Sequence, residues 1–222
     1  MNLENYIKAR RQQKDILLMT HIVLGYPSFD DSLRLVETMV NAGVDLMELQ
    51  IPFSEPMADG PVIMKASQES LENGATLERC FETAEKICSE FDIPFLFMSY
   101  CNILHKYGFQ PFAEKMKAIG IKGSIVPDIP PEDAQDYTAA MKQQQLDPIF
   151  LFAPNSSDAR MKTIEKTGSG FIYCVAMFLM AIRMYVKYRH NRYQIIRTTV
   201  VLFFQIAFAF IIPEILVRFN MP

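Results

Sequence analysis

Short apolar runs alternate with amphipathic stretches over the first 176 residues of the chain. Each run is nearly continuous and is bounded by glycine, proline or polar turn residues, which predicts strands that are buried on both faces. The stretches between the runs carry apolar residues at helical spacing, for example Leu33, Val36 and Val40. This alternation predicts an α/β fold in which helices cover a parallel sheet. The predicted strands are residues 17–25, 46–51, 94–100, 123–129, 148–153 and 170–176.

Capping residues and prolines predict where several helices begin. Thr76 is placed to cap a helix that runs to about Phe91. Pro111 occupies a first-turn position of a helix that ends at Gly120. Residues 130–133, Pro-Pro-Glu-Asp, predict the start of the following helix, with acids in its first turn.

The pattern changes after residue 176. Residues 183–197 are basic and contain no acid, whereas residues 198–213 contain no charge. A basic, tyrosine-containing flank before a charge-free run is typical of a membrane segment. We therefore predict that residues 177–222 form a basic and hydrophobic helical tail, with a candidate membrane segment at about 198–217. Two alternatives stay open: a buried core helix, or substitute helices that pack over the open sheet.

Composition and charge narrow the possible functions only slightly. The chain has 222 residues and a formal net charge of −3, and 50% of its residues are hydrophobic, so a large core is possible and nucleic-acid binding is not indicated. The four cysteines lack the spacing of a zinc site and are expected to be reduced core residues. The first residues contain no secretory apolar region. We expect a cytoplasmic protein, with membrane association only through the tail.

Two acids mark a candidate site near the end of the second strand. Leu46, Glu48 and Gln50 share one face of that strand, so Glu48 stands where an apolar side chain is usual. Prolines then stiffen the following loop, which carries Asp59. An acid on a strand and an acid on the next loop together indicate a candidate site. The alternative is structural: Glu48 pairs with a buried cation, and Asp59 caps the next helix.

Residues 51–61, Ile-Pro-Phe-Ser-Glu-Pro-Met-Ala-Asp-Gly-Pro, closely resemble the signature of the tryptophan synthase α subunit. The likeness continues through the successive strand–loop segments as far as about residue 176. The other similar segments are His-Ile-Val-Leu-Gly-Tyr-Pro-Ser from residue 21, Ser-Tyr-Cys-Asn at 99–102, Pro-Asp-Ile-Pro-Pro-Glu at 127–132, Phe-Ala-Pro-Asn at 152–155 and Gly-Phe-Ile-Tyr at 170–173.

The resemblance implies a (β/α)₈ TIM barrel, of which residues 1–176 would supply about six βα units. It implies a lyase of L-tryptophan biosynthesis that cleaves indole-3-glycerol phosphate to indole and glyceraldehyde 3-phosphate by a retro-aldol reaction. The expected partner is a tryptophan synthase β subunit in an α₂β₂-type complex. No metal and no cofactor is expected in this chain, since pyridoxal phosphate belongs to the β subunit.

The resemblance also implies residue roles. The catalytic residues would be Glu48, Asp59 and Tyr173. The substrate-binding residues would be His21, Met98, Tyr100, Ile125, Pro127 and Leu151. The loop residues that meet the partner would be Ser54, Glu55, Pro56 and Asp128.

Within this assignment, Glu48 is the general acid and base, and Asp59 accepts the indole N–H. A carboxyl that both gives and takes a proton needs a raised pKa, and apolar neighbours on the strand would supply it. The hydroxyl of Tyr173 would lie near the reacting centre.

The chain departs from the family pattern at several points. Gln50 replaces the usual glycine and is expected either to crowd the pocket or to hydrogen-bond Glu48. His21 stands where an aromatic ring is usual. Residues 177–222 contain no glycine, whereas the family places glycine-rich phosphate-binding loops there. These departures suggest a chimera joined near residue 176. The alternative function is an inactive, truncated barrel attached to a membrane segment.

Overall fold

The computed structural model describes residues 2–153 and 156–175, which form helices and strands in alternation. The helices are α1 (Leu3–Arg11), α2 (Phe29–Asn41), α3 (Pro61–Glu72), α4 (Leu77–Glu90), α5 (Cys101–Tyr107), α6 (Phe109–Ala118), α7 (Gln135–Gln143) and α8 (Asp158–Thr167). The strands are β1 (Met19–Val23), β2 (Leu46–Gln50), β3 (Phe95–Met98), β4 (Gly123–Ile125), β5 (Asp147–Ile149), β6 (Leu151–Phe152) and β7 (Tyr173–Cys174).

The strands confirm the predicted parallel α/β architecture. Strands β1 to β5 form one parallel sheet in chain order, and β6 pairs with β7, also in parallel. The predicted strand 148–153 is interrupted at Phe150. Its two halves have different neighbours, because β5 pairs with β4 whereas β6 pairs with β7.

Alternate side chains of the strands enter two separate apolar layers. On β2, Met47 and Leu49 belong to the large cluster that the helices cover, whereas Leu46 belongs to a second cluster on the other face of the sheet. Helix α1 contributes Leu3 and Ile7 to this second cluster, which is the inside of the barrel wall. Since α1 packs against residues at the starts of the strands, the interior is left to be approached from the carboxyl ends.

A buried ionic group fastens α1 to the start of β2. The carboxylate of Asp45 is 1% exposed and accepts hydrogen bonds from Arg10 Nη2 (2.6 Å), Lys14 Nζ (2.9 Å) and the Leu18 N–H (3.0 Å). Burial by itself raises the pKa of Asp45, but these donors outweigh it and hold the pKa below its usual range. The group therefore stabilises the floor of the barrel, opposite the strand ends that carry the site.

Two helix predictions need correction. The helix expected to begin at residues 130–133 begins instead at Gln135, because Asp133 N–H bonds to Pro130 C=O and closes a turn first. A separate short helix, α5, precedes the helix that contains Pro111 and was not predicted. Gly108 divides the two helices with a φ of +97°, a left-handed conformation that favours glycine.

The predicted tail falls outside the described residues. The helical prediction for residues 177–222 and the membrane segment at about 198–217 both lie there. Within residues 2–153 and 156–175, none of the helices combines the length and apolar character that a membrane crossing requires.

Candidate active site

Glu48 points into the barrel. It follows Leu46 by two residues on β2, so it shares the face that Leu46 contributes to the inner cluster, while Met47 and Leu49 face the helices. Its register partner on β1 is His21. The side chain of Glu48 is completely buried.

The carboxyl of Glu48 has no partner among the described residues. Neither of its oxygens receives a hydrogen bond there, and none of the ion pairs of that part of the chain includes it. Burial raises its pKa well above the usual range. A buried ion pair of the kind that the structural alternative requires is found three residues earlier, at Asp45, which precedes β2. Burial of Glu48 therefore favours its neutral, protonated form, with no hydrogen-bond partner among the described residues.

The second acid, Asp59, is hydrogen-bonded to Gln50, which lies on the same face of β2 as Glu48 and two residues after it. Gln50 is fully buried, and its amide Nε2 donates a 2.7 Å hydrogen bond to Asp59 Oδ2. The amide oxygen of Gln50 lies 2.6 Å from His21 Nε2. The expectation that Gln50 bonds Glu48 is therefore wrong, since its amide is occupied by Asp59 and His21.

His21 is half-buried on β1 and faces the same interior as Met19. Burial lowers the pKa of His21, and the hydrogen bond with Gln50 and the charge of Asp59 only partly oppose that effect. The imidazole is therefore neutral near neutral pH. It is placed to orient a neighbour rather than to supply positive charge.

Tyr100 connects β3 to the loop that carries Asp59. Its hydroxyl accepts a 3.0 Å hydrogen bond from the Ala58 N–H, and its ring stacks on Phe53 with centroids 5.1 Å apart. Burial is the main cause of the raised pKa of Tyr100, and the Asp59 carboxylate adds to it through charge and hydrogen bonding. The loop is thus held at both ends, next to the acid that it presents.

Tyr173, on β7, is affected by the charges of both acids. It belongs to the inner cluster and is 6% exposed. Burial raises the pKa of its hydroxyl, and the charges of Glu48 and Asp59 raise it further. Both Glu48 and Asp59 therefore lie within electrostatic range of the Tyr173 hydroxyl.

The other predicted substrate residues fall into two groups. Met98, Ile125 and Leu151 belong to the inner cluster or pack against it, on consecutive parts of the barrel wall. Pro127 lies elsewhere, on a cavity of about 210 Å³ that Leu151 also lines. Three of these side chains therefore face the region of Glu48, whereas Pro127 belongs to the rim.

The predicted partner loop lies on the surface at the same end of the barrel. Ser54 and Glu55 are exposed, and Pro56 is buried beneath them. Asp128 is exposed, and its Oδ1 accepts a 2.8 Å hydrogen bond from the Cys101 N–H at the start of α5. Asp128 therefore links the loop after β4 to the start of α5.

Gln50 belongs to the site, although the sequence alone does not assign it there. The signal was its place on the face of Glu48, two residues along a strand. Its actual partners could not be read from the chain, because they lie on β1 and on the following loop. In the described part of the chain, no group of three or more His, Cys, Asp or Glu residues is arranged to hold a metal ion.

Comparisons with known proteins agree on one family. The family model described as "Tryptophan synthase alpha chain" matches residues 7–180. The tryptophan synthase alpha chain of Syntrophotalea carbinolica is 61% identical over 174 residues, which make up 78% of this chain and 69% of that protein. The tryptophan synthase alpha chain of Desulforapulum autotrophicum is 62% identical over 174 residues, again 78% of this chain and 69% of the relative.

The fold is shared with solved structures. The crystal structure of tryptophan synthase subunit alpha from Legionella pneumophila matches with a TM-score of 0.79 at 28% identity, and the match covers 85% of this chain and 74% of that chain. Sequence and fold therefore give the same family.

Proposed function

Because the chain belongs to the tryptophan synthase alpha chain family, we propose how its own residues carry out the retro-aldol cleavage of indole-3-glycerol phosphate. The chain is a carbon–carbon lyase of L-tryptophan biosynthesis, and the reaction yields indole and glyceraldehyde 3-phosphate. The alternative, an inactive barrel attached to a membrane segment, gains no support from the comparisons. The observation that carries the mechanism is the buried carboxyl of Glu48 on the inner face of β2.

Glu48 supplies both proton transfers. Its raised pKa favours the protonated carboxyl, which can deliver a proton to the indole ring carbon that bears the glyceryl group. The resulting carboxylate then accepts the proton of the adjacent glyceryl hydroxyl. The carbon–carbon bond breaks as the aldehyde carbonyl forms, and Glu48 returns to its starting state. A carboxyl without a protein hydrogen-bond partner in the described residues is available for both steps.

Asp59 stabilises the charge that protonation creates. When the ring carbon gains a proton, positive charge develops on the indole nitrogen, and a carboxylate that accepts the N–H lowers the energy of that state. Asp59 is held from the strand side by Gln50. Tyr173, whose pKa is raised by the charges of both acids, lies at the reacting centre. His21, Met98, Tyr100, Ile125 and Leu151 form the remaining walls, and Pro127 lies at the rim.

The partner of this reaction is a tryptophan synthase β subunit, which carries the pyridoxal phosphate, so the α chain itself needs no cofactor. The proposal that residues 54–56 and Asp128 meet this partner is supported by exposed apolar side chains beside them. Met57 is 88% exposed and Val62 is 60% exposed, and both flank Asp59 in sequence. Exposed apolar side chains close together are typical of a protein interface.

A cytoplasmic location is supported by the cysteines, all four of which, from Cys80 to Cys174, are free thiols. Membrane association through residues 177–222 stays a prediction from the sequence alone. Carbonate extraction of a membrane fraction tests it: retention in the pellet supports the membrane segment, and release into the supernatant overturns it.

Indole release from indole-3-glycerol phosphate by the purified full chain tests the proposed mechanism. Glu48→Gln keeps the size of the side chain but removes the proton transfers, and it should lower kcat by a factor of roughly 10² to 10⁴. Glu82→Gln, an exposed change on α4, is the matched control and should turn over like the wild type. Absence of turnover by the wild type, or full turnover by Glu48→Gln, would overturn the proposal.

A further inference from the structure

The side chain of Gln50 joins two parts of the site that come from different elements. Its position on the inner face of β2 is completely buried. From there it contacts His21 on β1 through its oxygen, at 2.6 Å, and Asp59 on the loop through its nitrogen, at 2.7 Å. Both distances are short for hydrogen bonds of these types.

The chemistry of these groups fixes the direction of each hydrogen bond. An ionised carboxylate can only accept, so the nitrogen of Gln50 must face Asp59. The oxygen of Gln50 then faces His21 and can only accept, so Nε2 of His21 must carry the proton. Burial disfavours the charged imidazole, which leaves His21 neutral with an unprotonated Nδ1. The three side chains therefore form one directed series, from His21 through Gln50 to Asp59.

We propose that Gln50 is a positioning residue of the lyase reaction, which holds the Asp59 carboxylate from the rigid strand and is itself held in place by the Nε2–H tautomer of His21. This inference rests on the proposed function, because only the proposed lyase reaction supplies a substrate for Asp59 to contact. Asp59 lies on a loop, where a free carboxylate samples several orientations. A hydrogen bond from a buried amide on β2 restricts that freedom and directs the remaining oxygen lone pairs toward the substrate.

Removal of the Gln50 amide should therefore lower kcat more than it changes KM. Gln50→Leu keeps a buried side chain of similar size but cannot bond either neighbour. A misdirected Asp59 should stabilise the developing charge poorly, so kcat should fall roughly 10- to 100-fold while KM changes much less. Gln68→Leu is the matched control, because Gln68 also donates an amide hydrogen bond to a carboxylate, that of Glu72, on the exposed face of α3.

Gln50→Glu gives a sharper test. When protonated, the new carboxyl can donate to Asp59 and accept from His21, as the amide does, but when ionised it repels Asp59. Burial and the neighbouring acid raise its pKa, so the ratio of variant to wild-type kcat should be high at low pH and fall as pH rises. A residue that only fills space would give a ratio independent of pH. The titratable groups that face position 50 or its partners are His21, Glu48, Asp59, Tyr100 and Tyr173.

Nitrogen NMR of the His21 side chain provides a readout that does not require turnover. The wild type should show the neutral Nε2–H tautomer, and Gln50→Leu should shift the tautomer populations. If the wild type is inactive but shows this tautomer and this shift, the proposed function fails while the Gln50 contact stands. The inference is overturned if Gln50→Leu retains kcat, if the kcat ratio for Gln50→Glu is flat with pH, or if the His21 tautomer is unaffected by Gln50→Leu.

Discussion

The hydroxyl of Tyr100 accepts a 3.0 Å hydrogen bond from the Ala58 N–H, immediately before Asp59. This contact spans 42 residues of chain and joins the end of β3 to the loop that follows β2. Together with the Gln50 amide, it fixes Asp59 from two directions, one through the backbone and one through the carboxylate.

Tyr100→Phe tests the backbone contact. The variant keeps the ring that stacks on Phe53 but loses the hydroxyl acceptor. We expect about 1 kcal/mol less stability and a roughly 5- to 10-fold lower kcat, because the loop is held less firmly. Urea unfolding and steady-state indole release measure the two effects. Tyr107→Phe, whose ring contacts with Phe81 and Phe112 persist, is the control, and an equal loss of kcat there would contradict the interpretation.

Glu48→Gln should alter the pH dependence of stability. The raised pKa means that native Glu48 keeps a proton that the unfolded chain releases above about pH 4.3. Between the unfolded and the folded pKa of Glu48, the native protein therefore binds more protons than the unfolded chain. The free energy of unfolding falls as pH rises through this range.

The glutamine variant does not titrate, so it should lack this decline. The difference in the free energy of unfolding, variant minus wild type, should grow in favour of the variant as pH rises above about 4.3. Urea unfolding across that range measures it. Glu82→Gln should follow the wild-type curve, and parallel curves for Glu48→Gln and wild type would show that the Glu48 carboxyl is not buried.

Much of the fold could be predicted because its causes are local. Continuous apolar runs ended by glycine or proline located the strands, and the alternation of side chains along a strand placed Glu48 on the face of Leu46. The helix start at Thr76 followed from the capping preference of its hydroxyl, which accepts a 3.2 Å hydrogen bond from the Arg79 N–H.

The errors have both local and non-local causes. Residues 130–133 have the composition of a helix start, yet a turn closed by Asp133 postpones the helix to Gln135. The partners of Gln50 could not be inferred, since β1 and the loop reach it only after the sheet has formed. The same holds for Asp128, whose exposed carboxylate accepts a hydrogen bond from the Cys101 N–H at the start of α5.

Asp45→Asn should destabilise the floor of the barrel. The variant retains a polar side chain but loses the charge that Arg10 and Lys14 contact. Hydrogen bonds to a buried charge are worth about 2 kcal/mol, a figure reduced here by the partial exposure of both cations. The depressed pKa of Asp45 means that this stability is present above about pH 3.9 and is lost as pH falls toward the folded value.

Unfolding in urea at neutral and acidic pH tests the role of Asp45. The cost of Asp45→Asn should be largest at neutral pH and should shrink below about pH 4. Asp92→Asn changes an exposed carboxylate and should cost little at either pH. A cost for Asp45→Asn that does not vary with pH would contradict the ionic role.

The loop that carries Asp59 also exposes Met57, so the proposed partner surface lies beside the proposed catalytic acid. Met57 is 88% exposed, so replacing it with aspartate should leave the fold intact while it puts a charge into an apolar contact. A desolvated charge without a partner weakens an interface strongly, so the affinity for a tryptophan synthase β subunit should fall by a factor of ten or more, roughly 1.4 kcal/mol. Ile16→Asp is the matched control, because Ile16 is 81% exposed and precedes β1, at the opposite end of the barrel. Titration of labelled β subunit with each α variant measures the affinities, and equal weakening by both substitutions would remove the interface from this end of the barrel.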